Sequence, residues 1–487
     1  MGKIITNFGG NIQFTLAHFY APTSEDEVLA ILERHAHGKI RVVASRHAWS
    51  PAIVCDDALV DMRYFDSVKI ERDADGTVWA TVGGGCGIKH LLQQLQKENV
   101  TMPSVGLITE QTIAGAISTA THGSGRHSLS HYMAEIRVAA YDAEGRARIY
   151  VWSDGPQLQA ARCALGCMGI ILSVKFRCLP QYLLLESVRR YATLDEVLAQ
   201  EAEHPLQQFF LIPHSWDIYA QQRRVLPPEG ASRSWHATLY RIYWFLFIDI
   251  GLHLSIKLCA AWLRSRRLVH FLFRRFLPWT IWKPRNLAER SDVALTMEHE
   301  LFRHLEIEIF VPARHVRAAT TFVRAVVEVF DGAVAAPADA IAAILEPIGM
   351  KDDLLQKRGT FTHHYPITFR RVLPDDALIA MSSGPSPPTS PPVGEGSWYA
   401  ISFITYVEPR DAFYALASFL ARSMTKLYEA RLHWGKYFPL VNAEIEGAYP
   451  RLAEFRAICE RVDPHGVFRN EFVERVLFDE CVGRYVT

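Results

Sequence analysis

The residues best suited to chemistry cluster in segment 109–125, TEQTIAGAISTATHGSG. Small side chains dominate it: Ala114, Gly115, Ala116, Ser118, Thr119, Ala120, Thr121, Gly123, Ser124 and Gly125. Side chains this short let backbone N–H groups come close to a flat or anionic ligand. The hydroxyls of Thr112, Ser118, Thr119, Thr121 and Ser124 add donors without bulk. A tightly packed helix entry explains the same composition, so the neighbourhood has to decide. Upstream, Ile40, Val42 and Val43 read as a short buried strand running into Ala44-Ser45-Arg46-His47. A strand ending in a small, polar turn presents amides to a phosphate. His47 stands on that turn; taken alone, one histidine is more often a packing or surface residue.

The composition bounds the scaffold. A chain of 487 residues exceeds one ordinary core and predicts two domains. It is 49% hydrophobic and 21% charged, which fits a globular protein and excludes a disordered one. Lys+Arg and Asp+Glu are both 52, so no basic excess supports nucleic-acid binding. Eight cysteines are scattered with no C-x-x-C pair and no zinc-ligand spacing. Buried, reduced thiols in a cytoplasmic protein are the expectation, with no metal. The start, MGKIITNFGGNIQF, lacks the apolar run of a secretory signal.

The elements follow from periodicity. Val28–His35 reads as a helix, with Ser24 and Glu27 as a capping box. Val78, Ala80 and Val82 alternate with Trp79 and Thr81 in a half-buried strand that ends in Gly83-Gly84-Gly85. Ile88, Leu91, Leu92 and Leu95 then mark one helix face. Strands follow at Ile136, Val138, Ala140 and at Leu172, Val174, Phe176, and a first α+β unit ends near Pro180. Gly123-Ser124-Gly125 with Glu144 loosely matches a dinucleotide fingerprint, but the third glycine is missing and a strand follows, so that reading is excluded.

Between Trp235 and Trp282 apolar, aromatic and arginine residues crowd together. No span of about 20 apolar residues is free of charge, which argues against a bilayer crossing. The segment suits a helix pair lying on a membrane surface or a cap packed on its own protein; both stay open. Farther on, Leu305, Ile307, Ile309 and Val311 alternate with Glu306, Glu308 and Phe310, predicting a strand with one polar side. A helix follows from Pro312, a proline-rich loop spans 384–396, and Tyr399, Ile401 and Phe403 predict another strand. A long helix from about 411 to 430 leads into Arg431-Leu-His-Trp-Gly-Lys436.

Together these pieces resemble the vanillyl-alcohol-oxidase-type (PCMH-type) FAD-linked family, and within it the sugar lactone and alditol oxidases. The carrying motifs are SRH at 45–47, VGGG at 82–85, TIAGAISTATHGSG at 112–125, GCMGII at 166–171, HWGK at 433–436 and DPHGVFRN at 463–470. The resemblance spans nearly the whole chain. It implies an α+β protein: a two-subdomain PCMH-type FAD-binding domain over 1–182, an α+β substrate or cap domain over 183–439, and a C-terminal segment, 440–487, returning to the first.

The resemblance implies that FAD contacts Val43, Ala44, Ser45, Arg46, His47 and Ala48 on the turn, then Gly106, Leu107 and Thr112. It adds Gly115, Ser118, Thr119, Thr121, His122 and Gly123 from the small-residue stretch, and Ile171. His47 matches the position that bonds covalently to the flavin 8α-methyl. Lys436 matches a lysine near flavin N1–C2, where a cation stabilises the reduced ring; His433 supports the site beside it. Arg370 matches an arginine facing substrate and flavin. The family's sugar oxidases carry a glutamate two residues before that arginine, and this chain has Thr368; pairing Arg371 instead would put Phe369 there.

The implied activity is hydride transfer from the alcohol carbon of a sugar lactone, alditol or related polyol to flavin N5. Reoxidation by O2 with peroxide release, or by another electron acceptor, completes the cycle. The missing glutamate leaves a second reading: a membrane-associated flavin oxidoreductase, or a binder, for a hydrophobic ligand. Gly106 matches the position that controls the approach of oxygen to the flavin; a turn glycine needing positive φ is the alternative.

Overall fold

A computed structural model describes residues 3–227, 232–297, 301–384 and 396–478. The expected proline-rich loop lies almost wholly outside the described residues.

Two sheet systems divide the chain. In the first part, His18–Tyr20, Ala58–Asp61 and Ile40–Val43 form a parallel sheet. Beside it stands a five-stranded antiparallel sheet in the order Ala147–Trp152, Met133–Tyr141, Ile170–Arg177, Val78–Gly83, Val68–Arg72. Val78, Ala80 and Val82 are buried, as alternation requires. The glycines ending that strand are there for close approach. A Cβ on Gly84 would lie 2.3 Å from the Ile171 carbonyl, and one on Gly85 1.8 Å from that of Met62. The first helix, Glu25–Arg34, is capped by Ser24, whose hydroxyl accepts from the Glu27 amide at 3.2 Å. Glu27 itself reaches the Thr23 amide rather than Ser24, so only half of the expected capping box forms.

The second part is an eight-stranded sheet, ordered Leu287–Arg290, Leu183–Tyr191, Ile218–Val225, Gln208–Leu211, Ile367–Val372, Trp398–Thr405, Leu305–Pro312, Arg431–Leu432. The helices Val316–Asp331 and Asp411–Tyr428 pack against each other and against Leu305–Pro312. Every residue of that strand is buried. The sequence predicts a half-polar strand; here both sides are covered, so Glu306 and Glu308 are interior charges.

The chain end returns to the beginning. Helix Leu452–Val462 packs on Gly155–Arg162 and on Met133–Tyr141, and the Ile40 amide donates to Val467. Buried Arg41 donates to the carbonyls of Ala52, Leu165 and Phe468, joining three distant segments. Seven described cysteines are free, and all but the half-buried Cys259 are fully buried; Cys481 lies outside the described residues.

Segment 235–282 forms two consecutive helical rods, Trp235–Trp262 and 266–280. The first contains π-type turns at Trp244–Leu252 and Lys257–Trp262. By length and composition alone it is long and apolar enough to cross a membrane, where the sequence expectation was against a crossing. One side of each rod is packed. Leu252, Ile256, Val269, Leu272 and Phe273 cluster with Ile212 and Tyr219, while Ala237 and Tyr240 cluster with Val188 and Leu287.

Candidate active site

Strand Leu305–Pro312 aims Glu306 and Glu308 the same way, because side chains two apart share a face. Both border a cavity of 640 Å³, together with Gly106, Leu107, Thr121, His122, Arg370, His433 and Lys436. Register carries the row across the sheet: Glu308 stands opposite Ser402, and Ser402 opposite Thr368. Arg370 follows Thr368 by two on the same face. Arg371 faces the other way, toward Glu201, and Phe369 stacks on Phe209, so Arg370 is the one of the two arginines that borders the cavity.

The HWGK turn is clamped along the same strand. The amides of His433 and Tyr437 donate to the carbonyls of Glu308 and Glu306 at 3.0 and 2.9 Å. The Gly435 amide donates to His433 Nδ1 at 3.0 Å, and the Gly435 carbonyl accepts from the Trp49 amide at 2.8 Å. A Cβ on Gly435 would meet Thr119 Oγ1 at 3.2 Å. The turn is thereby locked between the strand, Trp49 and the small-residue stretch. Lys436 Nζ pairs with Glu306 and sits 4.3 Å over the Trp49 ring.

Glu308 is the more heavily solvated by protein. Ser402 Oγ donates to its Oε1 at 2.8 Å; His122 Nε2 lies at 3.4 Å and Arg370 Nη1 at 3.5 Å. Burial pushes the Glu308 carboxyl up, but His122, with His433 and Lys436, outweighs it and holds the group well below the usual range. His122 Nδ1 lies 2.9 Å from the Gly123 carbonyl, while its Nε2 faces Glu308. His122, Glu308 and His433 put three ligand-type atoms within 4.8 Å of one another. Arg370 beside Glu308, and His433 Nδ1 already accepting from Gly435, make this a self-neutralising charge cluster. Glu306 has one strong donor, Lys436, with His304 Nε2 farther away at 4.0 Å.

The turn after Ile40–Val43 joins the same neighbourhood. His47 is buried and stacks on Phe8 at 4.3 Å. Burial, then the charge of Lys436, lowers its pKa to about 4. Ala44, Ser45 and Ala48 are half-buried, while Arg46 is exposed with φ +57°. Among the described residues no protein acceptor meets the amides of Ser45, Arg46, Gly106, His122 or Gly123. Open amides of Gly106 and His122 on the cavity wall, with those of the left-handed turn at Ser45 and Arg46, suit an anionic, flat cofactor, so these residues fit FAD.

The hydroxyls behave differently from expectation. Ser118 and Thr119 donate to the carbonyls of Ala114 and Gly115, and Thr121 to Gln111. Ser124 donates to the carbonyl of Gln207. Their protons are spent within the protein, because short hydroxylic side chains readily bond nearby backbone. Gly115, Thr112 and Ile171 line the same packing: a Cβ on Gly115 would meet Thr112 Oγ1 at 3.2 Å. Gly106 lies outside the positive-φ glycines, which removes the turn-glycine reading. A Cβ there would fall 2.6 Å from Thr121 Cγ2, so Thr121 fills the space a larger residue would need.

Profiles of two families match the chain: FAD binding domain over residues 16–148, and D-arabinono-1,4-lactone oxidase over 174–476. This chain belongs to the D-arabinono-1,4-lactone oxidase family. It is an FAD-linked oxidoreductase with the PCMH-type α+β fold. A long-chain alcohol oxidase from an uncultured marine euryarchaeote is 44% identical over 474 residues, covering 97% of this chain and 96% of that one. L-gulonolactone oxidase of Mus musculus is 26% identical, covering 94% and 95%. Crystalline cholesterol oxidase from B. sterolicum shares the fold, with a TM-score of 0.71 at 15% identity, covering 98% of this chain and 97% of that one.

In this family member, sequence reasoning missed Glu306, Glu308, His304 and Trp49. The usable signal was two acids on one strand face with Arg370 and Lys436 elsewhere as counter-charges. The buried histidines yield a prediction. Burial, then Lys436, brings His304 to about 3; burial brings His433 to about 3, partly opposed by Glu308. Both are neutral in the fold but take up protons in the unfolded chain below about pH 6.5. The unfolded state then binds more protons, so stability is full above about 6.5 and falls as pH drops toward the folded values. Thermal unfolding from pH 7 to pH 4 should show a falling Tm, with a shallower fall in His304→Gln.

Proposed function

We propose that this family member oxidises long-chain, apolar primary alcohols to aldehydes, with dioxygen as acceptor and hydrogen peroxide as second product. The cavity wall carries the reading. At one end stand Glu306, Glu308, His122, Arg370 and Lys436; the cap rod contributes Tyr240, Ile242, Trp244, Phe245, Leu246 and Ile248. A polar end fixes a hydroxyl, and an apolar wall takes an alkyl tail. The 44% identical relative, named a long-chain alcohol oxidase, supports the same class. A polyol or sugar lactone is the alternative; Glu186, Gln221, Arg223, Thr238, Arg241 and Asp249 of the cap also border the cavity and could serve it, and a substrate panel decides between the two.

We read residues 1–182 and 440–487 as the part that holds FAD and 183–439 as the part that covers it, with His47 as the covalent tether. A neutral imidazole carries the lone pair such a bond requires. FAD held there would supply the hydride acceptor for the alcohol carbon and the two-electron donor for oxygen. Arg370 and Glu308 orient the hydroxyl, and Glu308, held low by its donors, stays ionised. Glu306, with accepting capacity to spare, takes the hydroxyl proton, and Lys436 supplies positive charge beside it. Oxygen approaches past Gly106, where a methyl could be added only by moving Thr121.

Three outcomes test this. On a panel of primary alkanols, alditols and aldonolactones read by peroxide, kcat/KM should rise about fourfold per methylene along the alkanols until the cavity is filled; preference for an alditol would reverse the substrate. Glu306→Gln should slow flavin reduction by at least about a hundredfold while FAD stays bound; an unchanged rate removes Glu306 as base. Acid-precipitated protein should stay yellow, and His47→Ala should release its flavin to the supernatant; release from the unaltered protein rejects the tether.

A further inference from the structure

Fourteen of the nineteen exposed large hydrophobic residues among those described fall within 235–282. Trp262 and Trp279 are the most open, at 79% and 82%. The charge is equally uneven. Residues 235–288 carry nine Lys and Arg against one acid, Asp249, in a chain balanced at 52 to 52. Arg266 and Arg274 are committed inward, to Asp331 and to the His214 carbonyl. Arg264, Arg267 and Arg275 are exposed beside the open aromatics.

We propose that this surface docks on an anionic lipid bilayer and that the substrate enters the cavity from it. Apolar side chains mixed with arginines match the acyl boundary and anionic headgroups together, and tryptophans favour that interface. A second copy is a poor occupant, because it would bring an equally cationic surface against this one. The rod Trp235–Trp262 lies along the bilayer instead of crossing it. Ala237, Tyr240, Leu252 and Ile256 are packed into the protein along one side, so lipid could not surround the rod as a crossing requires. Ile242 and Leu246 both line the cavity and are about half exposed, at 52% and 51%, which puts the cavity mouth on the docking surface. An alkyl chain passing there leaves lipid without entering water. This route rests on the long-chain alcohol reading; the docking does not.

The test is flotation of the purified holoenzyme with phosphatidylcholine vesicles, with and without phosphatidylglycerol. The protein should float with the anionic vesicles at about 0.05 M salt and at least about tenfold less at about 0.5 M. A Trp262→Ser/Trp279→Ser variant should lose at least about tenfold of the floating fraction while oxidising a short, water-soluble alcohol normally. Protein that stays down with anionic vesicles, or a variant that floats equally, overturns the docking. So does sedimentation showing dimers that the variant splits without any vesicle binding, which would assign the surface to a second copy. For the route, the variant should lose rate on a long alcohol embedded in vesicles and keep it on the same alcohol carried by cyclodextrin; equal loss on both rejects it. No turnover of any long alcohol would reject the substrate reading while leaving the flotation result intact.

Discussion

Two carboxylates buried on one strand face set the terms for the rest of the molecule. An unpaired buried charge costs several kcal/mol, so Glu306 and Glu308 require partners within reach. Those partners come from four separate places in the chain: Lys436 for Glu306, and His122, Arg370 and Ser402 for Glu308. Meeting that demand brings the small-residue stretch, the eight-stranded sheet and the HWGK turn to one point. The polar end of the cavity is therefore also where the two parts of the chain are held together.

The same row of the sheet accounts for Thr368. The resemblance leads one to expect a carboxylate there, two residues before the arginine. In this protein a carboxylate two strands away, Glu308, stands in register with Thr368 through Ser402 and makes the contact to Arg370. Negative charge at the site is kept while the position nearest Phe210 becomes small and only weakly polar. That exchange fits a site that grips one hydroxyl and leaves the wall beside Phe210 weakly polar.

Much of this was legible in the sequence. Period-two runs located the strands at 78–83 and 170–177, and the period-3.6 run located the helix after Gly87. The glycine-rich segments stood out by residue type and order, whereas His47, Arg370 and Lys436 were singled out by the family resemblance; Arg370 and Lys436 border one cavity in the structure. The role of Glu306 and Glu308 was not legible, since alternation reports that a strand has two faces and is silent on what covers the polar one. Nor could the sequence say which side of 235–282 is packed and which is open. One side of each rod is packed inside the protein and the other is open, a distinction that needs neighbours from distant strands.

The cysteines acquire meaning beside the proposed chemistry. An enzyme that releases peroxide exposes its own sulfur to it, and peroxide attacks the thiolate rather than the thiol. Burial pushes Cys86 to about 11 and Cys178 to about 12, and raises Cys163 and Cys459 well above the ordinary thiol range. Met168, in contact with Cys459, is just as enclosed. At neutral pH these sulfurs are protonated and enclosed, so the interior offers peroxide almost no thiolate to attack.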